Sequence, residues 1–175
     1  MRSAMVAIGL GLAVLAGAAP AASAAETPTR AQIVTITNRR LAQPHPTDHN
    51  VYNNYSGDAW SGHFARYAWT VGGVQHNLHL PKNYAGTQAW RTQAGVRYRP
   101  YGDRLPQPAD VLLWTDSADP TSGHVAVVTD VDTVRRTVVY VGGDENDSIV
   151  RHVKSWSAMG DSMAGKTFRG FHSLT

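Results

Sequence analysis

The sequence predicts an α+β domain in which helices come first and an antiparallel sheet follows. Two observations carry this prediction. Between Asp58 and Val71 the apolar residues recur at intervals of three and four, which is the pattern of a helix with one buried face. After Leu105 the chain changes to short runs rich in Val, Leu, Ile and Trp, and turn residues separate these runs, as is typical of strands.

The first residues have the pattern of a secretory signal peptide. Arg2 precedes an uninterrupted small and apolar run from Ala4 to Ala19, and small residues follow it as a cleavage site. The run is too short for a membrane anchor, and no stop-transfer segment follows. We therefore expect a secreted or cell-envelope protein with no membrane contact after cleavage. The expected organisation is a leader, an N-terminal lead-in and one domain, at 1–25, 26–54 and 55–175.

Composition excludes several classes of function. The chain has 16 Lys and Arg against 13 Asp and Glu, and these charges are spread along it, so nucleic-acid binding has no electrostatic basis. Cysteine is absent, so the fold must rely on its core and a thiol nucleophile is excluded. His45 and His49 flank Asp48, but the prolines around them oppose metal-ligand spacing. We expect no metal and no cofactor.

The predicted helix from Asp58 to Val71 gives Ser61 a distinctive position. Asp58 is the expected N-cap, and two glycines end the helix. Ser61 then lies in the first turn, beside backbone N–H groups that have no acceptor within the helix. Shorter helices are predicted near 30–40 and 87–93.

The predicted strands bring a histidine and an acidic cluster together. The strands are expected at 110–114, 124–131, 137–141 and 148–153. If 132–136 forms a turn, His124 lies opposite Asp144, and small register slips keep it beside Asp144, Glu145 or Asn146. A carboxylate or carboxamide on one ring nitrogen leaves the other nitrogen as a base. In this register Glu145 points to the opposite face and is expected to be exposed and dispensable.

Four segments resemble the papain-like cell-wall hydrolases of the CHAP and NlpC/P60 type. Trp60–Trp69 resembles their Trp-Cys-x-x-Phe-x-x-x-x-Trp nucleophile helix, except that Ser61 replaces the cysteine. Leu105–Val111 resembles their Pro-x-Pro-Gly-Asp-Val strand entry. Ser122–Val128 is similar to their Gly-His-Val-x-x-Val strand, which carries the catalytic histidine. Asp144–Asn146 resembles the acidic segment that supplies a third group.

This resemblance implies a papain-like fold that cleaves amide bonds in peptidoglycan. It implies catalytic positions at four residues, namely Ser61, His124, Asp144 and Asn146. Substrate-binding positions are expected beside them, at Tyr55, Trp60 and Gly123. At Gly123 the missing side chain would let a substrate backbone approach. The expected partner is peptidoglycan or a muropeptide, bound by a monomer.

The serine at the nucleophile position makes weak or absent activity the expectation. A helix N-terminus and a nearby imidazolium can ionise a thiol, whereas an alcohol starts several pKa units higher and needs a base during attack. Three functions follow as alternatives. The chain is a slow peptidoglycan amidase or endopeptidase, a muropeptide-binding protein without turnover, or a secreted toxin or interaction protein on the same fold.

Overall fold

In the residues that the computed structural model describes, a six-stranded antiparallel sheet carries three α-helices. The model describes residues 30–41, 51–54, 56–74, 80–93, 97–102, 104–119, 121–160 and 163–174. The helices are α1 (Arg30–Leu41), α2 (Ser61–Val71) and α3 (Ala89–Thr92). The strands are β1 (Tyr98–Pro100), β2 (Val111–Asp116), β3 (Gly123–Asp132), β4 (Thr137–Gly142), β5 (Val150–Ser155) and β6 (Lys166–His172). Their order in the sheet is β1-β6-β2-β3-β4-β5, which confirms the α+β prediction.

The central strands β2 and β3 are apolar on both faces because both faces are covered. Alternate residues such as Leu113 and Val127 join a core with α1 and α2. The intervening residues, such as Trp114 and Val128, join a second core on the other face, which is rich in aromatic rings. This double coverage explains why these segments read as continuous apolar runs rather than as alternating ones.

Helix α2 begins later than the sequence suggested. Trp60 occupies the N-cap position and has no side-chain capping bond, so the prediction that Asp58 caps this helix is wrong. Asp58 is exposed, and its carbonyl accepts a hydrogen bond from the Asn53 side chain at 2.8 Å. Ser61 is nevertheless in the first turn, as predicted, because it is the first helical residue.

Asp110 joins three separate parts of the chain. Its side chain is buried, and Oδ1 lies 2.6 Å from the Arg30 guanidinium at the start of α1. The other oxygen, Oδ2, accepts a hydrogen bond from the Gln107 backbone N–H at 2.8 Å. Oδ1 also accepts a bond from the Leu174 backbone N–H at 3.2 Å. One buried carboxylate therefore ties α1, the entry to β2 and the C-terminal segment together.

Several predictions fall on residues that the structure does not describe. These are the leader at 1–25, the candidate ligands His45, Asp48 and His49, and the candidate groove residue Tyr55. None of the helices that are described has the length and apolar character needed to cross a membrane.

Candidate active site

Two glycines at the end of β4 let α2 and His124 approach the same piece of backbone. A Cβ on Gly142 would collide with the carboxylate of Glu145 and would lie 2.7 Å from His124 Nε2. A Cβ on Gly143 would point the other way and lie 2.6 Å from the Trp60 ring. The backbone of Gly142 and Gly143 therefore lies between the His124 imidazole and the Trp60 ring at the start of α2.

The predicted register beside His124 is confirmed. Ala126 pairs with Gly142, and Val127 pairs with Val141, as the predicted turn requires. A bulge at Thr129 shifts the remaining pairs by one residue, away from the site. The end of β4 therefore arrives beside His124, as expected.

Glu145, and not Asp144, lies against the imidazole of His124. Glu145 Oε1 is 3.3 Å from His124 Nε2, in ion-pair contact but without hydrogen-bond alignment. The prediction that Asp144 contacts this ring is wrong because β4 ends at Gly142 and strand alternation ends with it. Asp144 has a left-handed φ of 65°, and its Oδ2 accepts a hydrogen bond from the Trp60 N–H at 2.9 Å. Asp144 thus tethers the start of α2.

The Glu145 carboxylate is not exposed, contrary to the prediction. Its side chain is 15% exposed, and Oε2 lies 2.6 Å from Nε2 of His152 on β5. Burial alone would raise the pKa of this carboxyl, but the imidazoles of His124 and His152 outweigh burial. The pKa of Glu145 therefore lies below its ordinary value, and the group is held as a carboxylate between two rings.

Asn146 was predicted to support the His124 imidazole, and the structure does not place it there. Asn146 is exposed, and within the described part of the chain its side chain makes no hydrogen bond. Its φ is 50°, and that of Asp147 is 59°. Asn and Asp tolerate left-handed backbone better than other residues with a side chain. The polar composition of this loop therefore has a conformational reason.

Ser61 lies at the helix start, buried but without a bond to the histidine. It is the first residue of α2 and is 7% exposed. Within the residues that the structure describes, no hydrogen bond joins the Ser61 hydroxyl to His124. The helix N-terminus supplies backbone N–H groups and positive potential at this position.

The two described substrate-binding candidates have structural roles instead. Trp60 is fully buried, and its ring stacks on Tyr52 at a centroid distance of 5.5 Å, so it has no surface for a substrate. At Gly123, a Cβ would collide with the carbonyl oxygen of Trp114 on the neighbouring strand. Glycine is therefore needed at 123 for strand packing, and its predicted contact with a substrate backbone stays a prediction.

A loop that the sequence did not single out covers the first turn of α2. The carbonyl of Tyr84 approaches Gly62 so closely that a Cβ at 62 would overlap it. The Arg66 guanidinium lies 4.3 Å from the centroid of the Tyr84 ring, and the His63 ring meets the same ring edge-on at 5.0 Å. Burial is the main reason that the pKa of His63 is lowered. His63 thus packs on this loop beside the candidate site.

The described residues contain no group of three His, Asp or Glu side chains arranged to hold a metal ion. The reactive groups that the structure describes at the site are a serine hydroxyl, imidazoles and carboxylates.

The two glycines give a matched pair of variants. Gly142→Ala is expected to displace both the flexible Glu145 side chain and the His124 ring, because the new Cβ would clash with each of them. Gly143→Ala forces a Cβ against packed aromatic rings and is expected to cost about 1–3 kcal/mol of stability. The NMR shifts of the His124 ring measure the effect of Gly142→Ala, and urea unfolding measures the stability lost in Gly143→Ala. Unperturbed His124 shifts in Gly142→Ala would contradict the assigned contact.

The lowered pKa of Glu145 predicts a pH-dependent contribution to stability. Because the pKa is below the ordinary 4.5 in the folded state, the carboxylate stabilises the fold above pH 4.5. That contribution is lost as the pH falls through the folded pKa. Glu145→Gln is therefore expected to lower the urea midpoint at pH 6, and the difference from the parent should shrink below pH 4.5. A difference that stays constant over this range would contradict the paired carboxylate.

Comparison with known families identifies one match. The sequence model of the CHAP domain matches residues 49–144, which contain α2 and the strands from β1 to β4. Comparison with curated proteins and with solved structures gave no match. The matched range includes Ser61 and His124, and with it the papain-like form of the α+β prediction is confirmed.

Proposed function

Because this chain belongs to the CHAP domain family, a membership that indicates peptidoglycan hydrolysis, we propose that it is a peptidoglycan amidase or endopeptidase in which Ser61 is the nucleophile. The NlpC/P60 enzymes share the same papain-like chemistry. We further propose that residues 1–25 direct export to the envelope or medium. Mass spectrometry of the mature N-terminus from a secreting host tests the export step, and an uncleaved chain retained in the cell would contradict it.

The observation that carries the proposal is the contact between buried His124 and half-buried Glu145, in the segment whose Asp144 binds the Trp60 N–H at the start of α2. A carboxylate beside one ring nitrogen of an imidazole stabilises the imidazolium that forms during proton transfer. Such a pair costs desolvation free energy, which a purely structural sheet end could avoid with apolar residues. Its position next to a helix N-terminus that begins with Ser61 supports a nucleophilic role for that residue.

The proposed reaction proceeds through an acyl-enzyme. Ser61 Oγ attacks the carbonyl carbon of a peptidoglycan amide while His124 takes the hydroxyl proton. The Ser61 backbone N–H donates to the oxyanion. The C–N bond then breaks, and His124 gives its proton to the leaving nitrogen. Water attacks the resulting ester with His124 as base, which releases the acid and restores the Ser61 hydroxyl.

Turnover by this route is expected to be slow. A thiol in the same position would be ionised in advance by the helix N-terminus and the imidazolium. The serine hydroxyl has to lose its proton during attack, and no hydrogen bond to His124 prepares it for that step. The missing bond favours a second candidate function, which is muropeptide binding without hydrolysis.

Incubation with purified sacculi separates the two functions. Sacculi of several peptide chemotypes are treated with the chain, with His124→Ala and with His63→Ala, which removes an imidazole elsewhere on the surface of α2. New amino groups and released muropeptides are measured by mass spectrometry, and binding by co-sedimentation. We expect slow release that His124→Ala abolishes and that His63→Ala retains, because the half-buried His63 ring packs on Tyr84 and makes no contact with Glu145 in the described residues. Binding without release would favour the second function, and neither binding nor release would contradict both.

A further inference from the structure

The carboxylate of Glu145 is shared between two imidazoles, and the proposed reaction uses only one of them. Oε1 faces His124 Nε2 at 3.3 Å, and Oε2 faces His152 Nε2 at 2.6 Å. The second contact is the shorter and the better aligned, since it has hydrogen-bond geometry and the first does not. His152 is therefore the imidazole that makes an aligned hydrogen bond to Glu145.

The sheet fixes the ring of His152. On β5 the even-numbered residues Val150, His152 and Lys154 are half-buried, whereas their odd-numbered neighbours are exposed. His152 pairs with Tyr140 on β4, and the two rings stack with centroids 4.9 Å apart and an interplanar angle of 22°. Pairing and stacking together set the plane of the imidazole and direct Nε2 to Glu145.

The Glu145 side chain needs such a contact because its own loop fixes only the backbone of this residue. Its immediate neighbours Asp144 and Asn146 both have left-handed backbone. Two backbone hydrogen bonds close the loop, from Glu145 N to Ser148 O at 3.1 Å and from Ser148 N to Glu145 O at 3.2 Å. These bonds fix the backbone, but a glutamate side chain has three further torsions that they leave free.

We propose that His152 is a positioning residue of the active site, which binds one oxygen of Glu145 and thereby presents the other oxygen to His124. This inference rests on the proposed function, because it adds His152 to the proposed active site of Ser61, His124 and Glu145. His152 does not touch the nucleophile. It acts through Glu145, and its removal leaves the imidazolium of His124 without a fixed counter-charge.

The absence of cysteine from the chain allows a test that needs no substrate. In the Ser61→Cys background the protein has one thiol, and its alkylation by iodoacetamide reports the fraction present as thiolate. A thiolate paired with the His124 imidazolium reacts at pH 6, whereas an unassisted thiol, with a pKa of about 8.5, reacts well only at higher pH.

The expected result is specific to one part of the pH range. His152→Ala in this background should lower the alkylation rate at pH 6 by about tenfold or more, and leave the rate at pH 9 unchanged. His152→Gln should retain most of the rate at pH 6, because its amide nitrogen can donate to Glu145 from a similar position. The matched control is Val153→Ala, on the exposed face of the same strand, which should behave as the parent.

Two results would overturn the proposal. One is a pH profile that His152→Ala leaves unchanged, and the other is an equal fall at every pH, which would assign His152 a structural role. A different result would contradict the proposed function alone. In that result the Ser61→Cys chain is alkylated quickly at pH 6 but releases nothing from sacculi. In that case a response of the alkylation rate to His152→Ala still supports the positioning role.

Discussion

Replacing Ser61 with cysteine is expected to raise the rate of peptidoglycan clearing by about tenfold or more over the parent chain. The reason is that α2 begins at this residue, so its N-terminal potential stabilises an anion there. His124 and Glu145 supply the cation and its counter-charge. The turbidity of purified sacculi measures the gain, and chromatography of the products identifies the bond that is cleaved.

The faster clearing by the Ser61→Cys chain should depend on the imidazole of His124. His124→Ala in the Ser61→Cys background is expected to lower the rate by roughly 10²–10⁴-fold, which is the usual contribution of a general acid and base. The carboxylate at Asp144 lies close to the start of α2 and opposes ionisation of the thiol. Asp144→Asn, which keeps an oxygen for the Trp60 N–H, should therefore not reduce the gain. A Ser61→Cys chain that stays inert on every wall chemotype would contradict the enzyme proposal.

Asp110→Ala is expected to destabilise the fold by roughly 2–4 kcal/mol, because it removes a buried carboxylate that binds a partly exposed guanidinium and two backbone N–H groups. The substitution leaves the Arg30 guanidinium without its carboxylate at the start of α1. It also leaves the Gln107 and Leu174 backbone N–H groups without their acceptor. Urea unfolding followed by far-ultraviolet circular dichroism measures the loss.

A control for Asp110 lies at the far end of the same strand. Asp116 pairs with Lys166 at 3.5 Å on the surface, where solvent screens the charges. Asp116→Asn should therefore leave the unfolding midpoint nearly unchanged. Equal losses for the Asp110 and Asp116 variants would show that Asp110 does not connect the three segments energetically.

The elements with local signals were predicted well from the sequence. Helix α2 has an apolar stripe, and β2 to β5 consist of β-branched runs between turns, so each was placed within a few residues. Strands β1 and β6 were missed because their pairing is non-local, as in Tyr98 with His172. Gly170 interrupts β6 in sequence, although it is needed there because a Cβ would collide with the Arg99 carbonyl.

The site was predicted in its neighbourhood but not in its contacts. The register between β3 and β4 was correct at the His124 end and wrong by one residue near the turn, where Val131 pairs with Val138. It could not identify the acidic residue, because Asp144 has a left-handed backbone after the strand ends. Strand alternation therefore does not apply at Glu145. His152 was missed because it contacts Glu145 and not the other predicted site residues. Its position on β5 is on the half-buried face of the strand.

The most direct test of the proposed nucleophile is the acyl-enzyme itself. The Ser61→Cys chain is mixed with soluble muropeptides, quenched with acid within seconds and analysed by mass spectrometry, intact and after digestion. We predict a thioester to a stem-peptide acyl group on residue 61, which His124→Ala prevents from forming. Turnover without an adduct at residue 61, or an adduct on another residue, would contradict the assignment of the nucleophile.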